Sequence, residues 1–501
     1  MRNAGPMLKT LACRPSLPAA ALISAVLGVA TVVVHAPLDA QQVRSISASD
    51  KRLGAEAHPQ LLNEFGGAYT GAQAGYVTQV GRKIAVQSGL SNSESDFTIT
   101  LLNSPVNNAF AIPGGYVYVT RQLLALMNDE AELASVLGHE VGHVAARHSN
   151  KRNTRSTLGT IGSAIVGVLT GSSELAQVAG QAAQLYTLSY SRSQEYEADD
   201  LGIRYLVRAG YDPNAAADML ASLEAQSQLD ARAAGRDEAR SVPTWASTHP
   251  NTPDRVKRAQ RTAAQTGAAA QRGVRNRDAF LTALNGVAYD DDPRQGVIDG
   301  NTFRHPDLKL AFVAPQGYAV QNSPTAVTIQ GSGGQAQFGG GSLGGGSLAN
   351  YVTKVFTGLS GSSSQAPKLD IRSGQVNGLE TASATTRAST QSGQVDLTVT
   401  AYRWGGDAAY HFVTIVPAGS GLGPFRSLVD SVRRLSDSEA GQVRGKRVEV
   451  VTVRQGDTIQ SLARRMAYAD NQVERFLVLN ARAANEALKP GERVKLIIVS
   501  S

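Results

Sequence analysis

Cysteine is almost absent from this 501-residue chain: the only one, Cys13, lies within the first forty residues. Disulfide staples, cysteine-ligated zinc and thiol catalysis are thereby excluded from the rest. Charged residues are sparse at 18%, while hydrophobic residues make up an ordinary 42%, which excludes wholesale disorder. Apolar runs long enough for a polytopic membrane protein are missing. No block of Lys and Arg interleaved with aromatics is present, so nucleic acid is not an expected partner. The length predicts roughly two to four soluble domains.

Arg2, Lys9 and Arg14 precede the apolar run Ala19–Val34, and small residues follow at Ala36 and Ala40. That is the order of a secretory signal. The run has 16 residues, short of the about 20 that a spanning helix needs, so a cleaved signal at residues 1–40 is expected in place of an uncleaved anchor. Export to the periplasm or cell envelope follows. Cys13 comes before the apolar run, on the wrong side for a lipoprotein acylation site. Loss of the signal lowers the formal net charge from +7 to +5, a mild excess that fits peripheral association with anionic wall or membrane surfaces. The apolar stretch Leu158–Leu169 is short and broken by glycine, and reads as a packed or surface-seeking helix.

Between the ends, Val77, Val80 and Ile84 predict an amphipathic helix over 74–85, and Phe97, Ile99 and Leu101 alternate as a strand. Asn108–Thr120 reads as two strands joined by the turn Pro113-Gly114-Gly115. Asp129 and Glu132 are spaced as a capping box before a strong helix through Leu133, Val136, Leu137, Val141 and Val144. The Ala- and Gln-rich stretch near 260–277 suggests a boundary. Past Phe303 the chain turns to Gly, Ser and Thr with β-type alternation, which predicts a separate small α+β domain closed by a helix near Phe425–Leu435. The GGGSLGGGS segment at Gly339–Ser347 reads as a flexible loop.

Three of the eight histidines, His139, His143 and His148, fall within ten residues. His139-Glu140-Val141-Gly142-His143 is an HExxH sequence inside the strong helix; composition alone would produce on the order of 0.01 such matches. Four residues apart on a helix, two imidazoles project from one face and can share a zinc ion, with Glu140 beside them as a base. A catalytic zinc needs a third protein ligand and an open position. Ala146 and Ser149 stand where the HExxHxxGxxH pattern requires Gly and His, so that class is rejected. His148, about 500° of rotation past His143, falls off the ligand face and is expected to pack or hydrogen-bond nearby. Ser191–Gly202 offers acids in helical context: of Glu195 and Asp199, one can bind zinc while the other accepts the N–H of a zinc-bound histidine. Glu197 points to another face.

HEVGH, SRSQEYEAD about 50 residues later, the His249-Pro250 motif with Arg255, Asn108-Ala109-Phe110 before Pro113-Gly114-Gly115, and Ala209-Gly210-Tyr211-Asp212-Pro213 together resemble the gluzincin family of CAAX prenyl endopeptidases, HtpX, Oma-type proteases and BepA. The resemblance runs from about Asn108 to Arg255. It implies one zinc held by His139, His143 and Glu195, Glu140 as general base, and Asp199 supporting a ligand. It also implies an edge strand at Asn108, Ala109 and Phe110, turned by Gly114 and Gly115, on which an extended substrate pairs backbone to backbone. His249 and Arg255 match positions that face the zinc and can steady an oxyanion; in some relatives the histidine occupies the open position and silences the enzyme. Both roles stay open at this point. With zinc polarising the scissile carbonyl and a water, Glu140 would take the water's proton and pass it to the leaving amine. The tetratricopeptide repeats that BepA relatives carry leave no 34-residue periodicity here.

Val451–Ile498 has the order strand, helix, helix, strand, and its TVRQGDTIQSLA, LVLN and LKPGERVKL segments resemble a LysM domain. That resemblance implies contact with peptidoglycan through loops at Asp457-Thr458 and Pro490-Gly491. The expected fold is α+β: a signal at 1–40, a mainly helical zincin-type domain with a small edge-strand sheet at 41–265, a linker at 266–300, a small α+β domain at 301–437 and a βααβ LysM-like domain at 446–501. The expected function is an exported zinc metalloendopeptidase acting on unfolded or misassembled polypeptides of the cell envelope. The alternatives are a latent zinc-containing holdase tethered to peptidoglycan and, against the resemblance, a cell-wall hydrolase.

Overall fold

The computed structural model describes residues 45–148, 190–233, 249, 253–324, 326–360, 369–390 and 393–500. The expected signal at 1–40 and the stretch Leu158–Leu169 lie outside the described residues. No helix among the described residues is long and apolar enough to cross a membrane.

Helix α1 (Ala48–Glu64) is capped by the Ser47 hydroxyl, which accepts from the Asp50 amide. Helix α2 (Ala72–Ala85) buries Val77, Val80 and Ile84, the stripe that its sequence spacing marks. Strands β1 (Thr98–Leu102), β2 (Ala109–Ile112) and β3 (Tyr116–Thr120) make a sheet in the order β1-β3-β2, with β1 parallel and β2 antiparallel to β3. The β2–β3 turn needs its glycines: Gly114 and Gly115 have φ of 95° and 84°, and a Cβ on either would fall 2.6 Å from a carbonyl oxygen, of Asp50 or Asp96. Strand β2 is therefore left at the sheet edge.

Helix α3 (Arg121–Leu126) leads into α4 (Glu130–Ala145), the HExxH helix. Its cap is half of the expected box. Asp129 accepts from the Glu132 amide, but the Glu132 carboxylate turns one residue further back and accepts from the Asn128 amide at 2.8 Å. Helices α5 (Arg192–Ala209) and α6 (Ala215–Ala233) pack on α4, and α7 (Pro253–Gln265) packs on both.

The stretch at 266–300, expected to be a linker, is folded in place. Helix α8 (Arg277–Leu284) buries Phe280, Leu281 and Leu284, and β4 (Ala288–Tyr289) pairs with the C-terminal module. Its Ala, Gln and Arg content resembles a solvated segment, but its few apolar side chains are spaced to enter a core.

Next come β5 (Val297–Asp299), β6 (Thr302–His305) and β7 (Leu310–Val313), then β8 (Ala319–Asn322), β9 (Val327–Gly331) and β10 (Gly334–Ser342). Helix α9 (Leu348–Ser360) precedes the antiparallel run β11 (Arg372–Val376), β12 (Leu379–Thr390), β13 (Gly393–Gly405) and β14 (Ala408–Pro417). A seven-stranded sheet in the order β11-β12-β13-β14-β10-β9-β8 forms the body of this α+β region. The glycine-rich segment is only partly a loop, because Gly339–Ser342 pair with β14 as the end of β10. The closing helix is short, α10 (Arg426–Asp430), followed by β15 (Arg433–Arg434) and α11 (Asp437–Gln442). His411 is half-buried and 2.9 Å from the Tyr351 hydroxyl, and its desolvation pushes its pKa down to about 4: a structural histidine.

The C-terminal module is β16 (Lys446–Thr452), α12 (Ile459–Ala463), α13 (Gln472–Leu479) and β17 (Arg493–Val499), the βααβ order read from sequence. It does not hang on a tether. Phe476, Leu479, Val494 and Leu496 share one buried cluster with Leu133 and Leu137 of α4 and Phe280 of α8.

Candidate metal centre

The ligands meet because α4 and α5 pack at glycines. A Cβ on Gly142 would lie 3.1 Å from the Ala198 carbonyl oxygen, and one on Gly202 would lie 3.1 Å from the His139 amide nitrogen. Small residues at both crossings let the backbones approach as larger ones would not. Ser191 and Gln194 form a reciprocal capping box that fixes the start of α5, and Glu195 and Asp199 follow on its buried face.

His139 Nε2 and His143 Nε2 are 3.0 Å apart. Glu195 presents Oε1 at 3.5 Å from His143 Nε2 and Oε2 at 3.6 Å from His139 Nε2. His249 Nδ1 lies 3.1 Å from Glu195 Oε1 and 3.4 Å from His139 Nε2. All four ligand atoms fall within 4.8 Å of one another, and all four residues are buried. Donors about 2.0–2.1 Å from a tetrahedral zinc stand roughly 3.3 Å apart, so these separations fit one such ion.

The far side of each ring fixes its tautomer. Asp199 Oδ1 is 2.9 Å from His139 Nδ1, so that nitrogen donates and Nε2 carries the lone pair. His143 Nδ1 is 2.9 Å from His148 Nδ1, while His148 Nε2 is 3.2 Å from Glu197 Oε2. Glu197 can only accept, so His148 donates from Nε2 and takes the proton of His143 on its own Nδ1. His143 Nε2 is thereby left as a lone pair. Desolvation, with His139 and His249 nearby, pushes the His143 imidazole well below its ordinary pKa and keeps it neutral. Burial works to lower His139 too, but the hydrogen bond to Asp199 and the surrounding carboxylates raise it. Asp199 resists its own burial because Arg255 and His139 hold its carboxyl well below the usual range.

Glu140 is buried, and neither carboxylate oxygen has a hydrogen-bond partner among the described residues; His249 Nε2 is 3.6 Å from Oε1. A buried carboxylate without donors is costly unless a ligand or water completes it.

Against this geometry, residues 71–263 match the profile of peptidase family M48. This segment is similar to M48 peptidase domains. The chain is 30% identical over 219 residues to the mitochondrial metalloendopeptidase OMA1 of Schizosaccharomyces pombe, a match covering 42% of this chain and 59% of that protein. It is 30% identical over 166 residues to the beta-barrel assembly-enhancing protease of Escherichia coli, covering 31% of this chain and 34% of the relative. It is also 35% identical over 119 residues to OMA1 of Arabidopsis thaliana, 24% of each protein. The chain thus spans less than two thirds of the relatives' lengths.

The M48-like domain gathers His139, Glu140, His143, Glu195, Asp199 and His249 into one site. Arg255 lies against the same site. Its Nε and Nη2 bind Asp199 at 2.9 and 2.8 Å, and its Nη1 lies 2.8 Å from Glu195 Oε2. All three guanidinium nitrogens thus engage the carboxylates of Asp199 and Glu195. Ala109 and Phe110 lie on the edge strand β2, against which α4 packs; Asn108 precedes it. Asp457, Thr458, Pro490 and Gly491 sit on the C-terminal module in local roles: Asp457 accepts from the Arg454 amide, Thr458 caps α12, and the Gly491 amide donates to Val453.

Sequence reasoning missed Tyr190, whose ring stacks on His143 with centroids 3.7 Å apart. It also missed the relay from Glu197 through His148. The available signal was the i, i+4 pair of Gly138, just before the motif, and Gly142, within it, which marks a helix made for close packing.

Proposed function

We propose that this chain is an exported zinc metalloendopeptidase that cleaves unfolded or misassembled polypeptides of the cell envelope. The observation that carries the reading is the convergence of His139, His143 and Glu195 lone pairs beside an unpartnered Glu140. Bound there, zinc supplies a Lewis acid that polarises a carbonyl and makes a water more acidic. Glu140 accepts the proton of the attacking water and returns it to the leaving amine. Asp199, and Glu197 through His148, hold the two imidazoles in their ligating tautomers, and Arg255 keeps Asp199 and Glu195 ionised. Strand β2 ends its sheet, and that edge position supports its aligning an extended substrate. The N-terminal apolar run supports export, and the LysM-like motifs support a peptidoglycan contact. The test is direct: purified protein should contain one zinc per chain and cleave a reduced, carboxymethylated polypeptide, and chelation should stop it. Protein with full zinc and no cleavage under any activating condition would favour the holdase alternative.

A second feature bears on regulation. His249 Nδ1 sits among the ligand atoms, which supports its acting as a fourth donor that holds the enzyme latent. His249→Ala is then expected to keep its zinc and raise kcat/KM at least about tenfold, since one donor, worth about 1.4 kcal/mol or more, no longer competes with substrate. A fall in activity would assign His249 to catalysis instead.

A further inference from the structure

A cleft of about 820 Å³ opens between the M48-like domain and the C-terminal module, within the about 300–1,000 Å³ typical of ligand sites. One wall is α6 with the start of α4; the other is α13 with the start of β17. Ala221 and Ala225 face Leu477 and Val478 across it. Two polar side chains of the lining, Asn128 and Ser222, are 3% and 4% exposed, and Asn128 Oδ1 and Ser222 Oγ have no hydrogen-bond partner among the described residues. Buried polar atoms left open in a roomy cleft mark a place that a ligand or water completes.

The lining selects the ligand. It contains no aromatic ring on which a sugar could stack, and its acids outnumber its arginines six to four, which disfavours an anion. Small apolar side chains, together with an amide oxygen and a hydroxyl, suit the alternating N–H, C=O and side-chain groups of a polypeptide. Glu132, also in the lining, precedes His139 by seven residues, about 10 Å along the helix axis. One extended chain can reach both places.

We propose that this cleft is a second polypeptide-binding site, which holds a substrate segment remote from the scissile bond. The proposal extends the peptidase reading but is tested apart from it. A fluorescently labelled, reduced and carboxamidomethylated lysozyme is titrated into the zinc-loaded full chain carrying Glu140→Gln, with and without Ala221→Trp and Ala225→Trp, which fill the cleft. The exposed Ala221→Trp alone is the second variant, since it spares the core. The expected result is at least a tenfold weaker Kd in the filled variants, with binding of a hexapeptide unchanged. In the Glu140 background, the same substitutions should raise KM for the long polypeptide and leave kcat/KM for a short quenched peptide unaltered. An unchanged Kd overturns the proposal. So does an equal loss for the hexapeptide, or a loss confined to N-acetylglucosamine oligomers. If wild type cleaves nothing, the peptidase reading fails while the Kd comparison still judges the cleft.

Discussion

Glu140→Gln is expected to keep one zinc per chain and to lose about 10²–10⁴-fold in kcat/KM. The substitution preserves shape, so the buried site around His139, His143 and Glu195 should stay assembled. What it removes is a proton acceptor. Both Glu140 oxygens lack hydrogen-bond donors among the described residues, so the carboxylate is held ready for a proton from outside the protein. The check pairs metal analysis with hydrolysis of an unfolded polypeptide. Cleavage at the wild-type rate would remove Glu140 from the mechanism, whereas loss of zinc would mean that it supports the ligands.

Lys495→Met should cost about 1–3 kcal/mol of stability, because it leaves buried carbonyls without their donor. Lys495 is fully buried on β17, and its Nζ donates to the carbonyls of Ala125, Leu126 and Met127 at 2.8, 3.1 and 2.6 Å. These carbonyls end α3, where a helix leaves acceptors without internal donors. Two residues beyond them begins the turn into α4. Beside it, desolvation pushes the Glu132 carboxyl up to about 8, with Asp129 adding to the rise. A residue of the C-terminal module thus caps the helix that delivers the HExxH helix. Urea unfolding should show the loss in a single transition, since both modules share one core. A neutral substitution, or a separate early transition for residues 446–500, would show that the module is only appended.

The legible part of the molecule was the local part. Helix α2, the β2–β3 hairpin and α4 follow from apolar spacing and from turn glycines, which act within a few residues. The HExxH pair was legible for the same reason, since two imidazoles four apart on a helix must share a face. The contacts of Arg255 with Asp199 and Glu195 were not legible, because a sequence shows that a cation is near a site without showing which acids face it. The 266–300 stretch was misread because α8 and β4 are stabilised by partners far away in the chain.

From the sequence alone came the metal-binding residue types and their order: two histidines and a glutamate on one helix, an acid pair on another, and no cysteine to compete. Spacing along a helix is a local geometric fact, so it survives without knowledge of the fold. Only the tertiary structure decided that His249 enters the ligand group, that Arg255 serves the carboxylates, and that His148 carries a relay from Glu197. It also decided that the C-terminal module shares the hydrophobic core of the HExxH helix. Each depends on contacts between segments tens to hundreds of residues apart, and such contacts are set by packing, which no local pattern encodes.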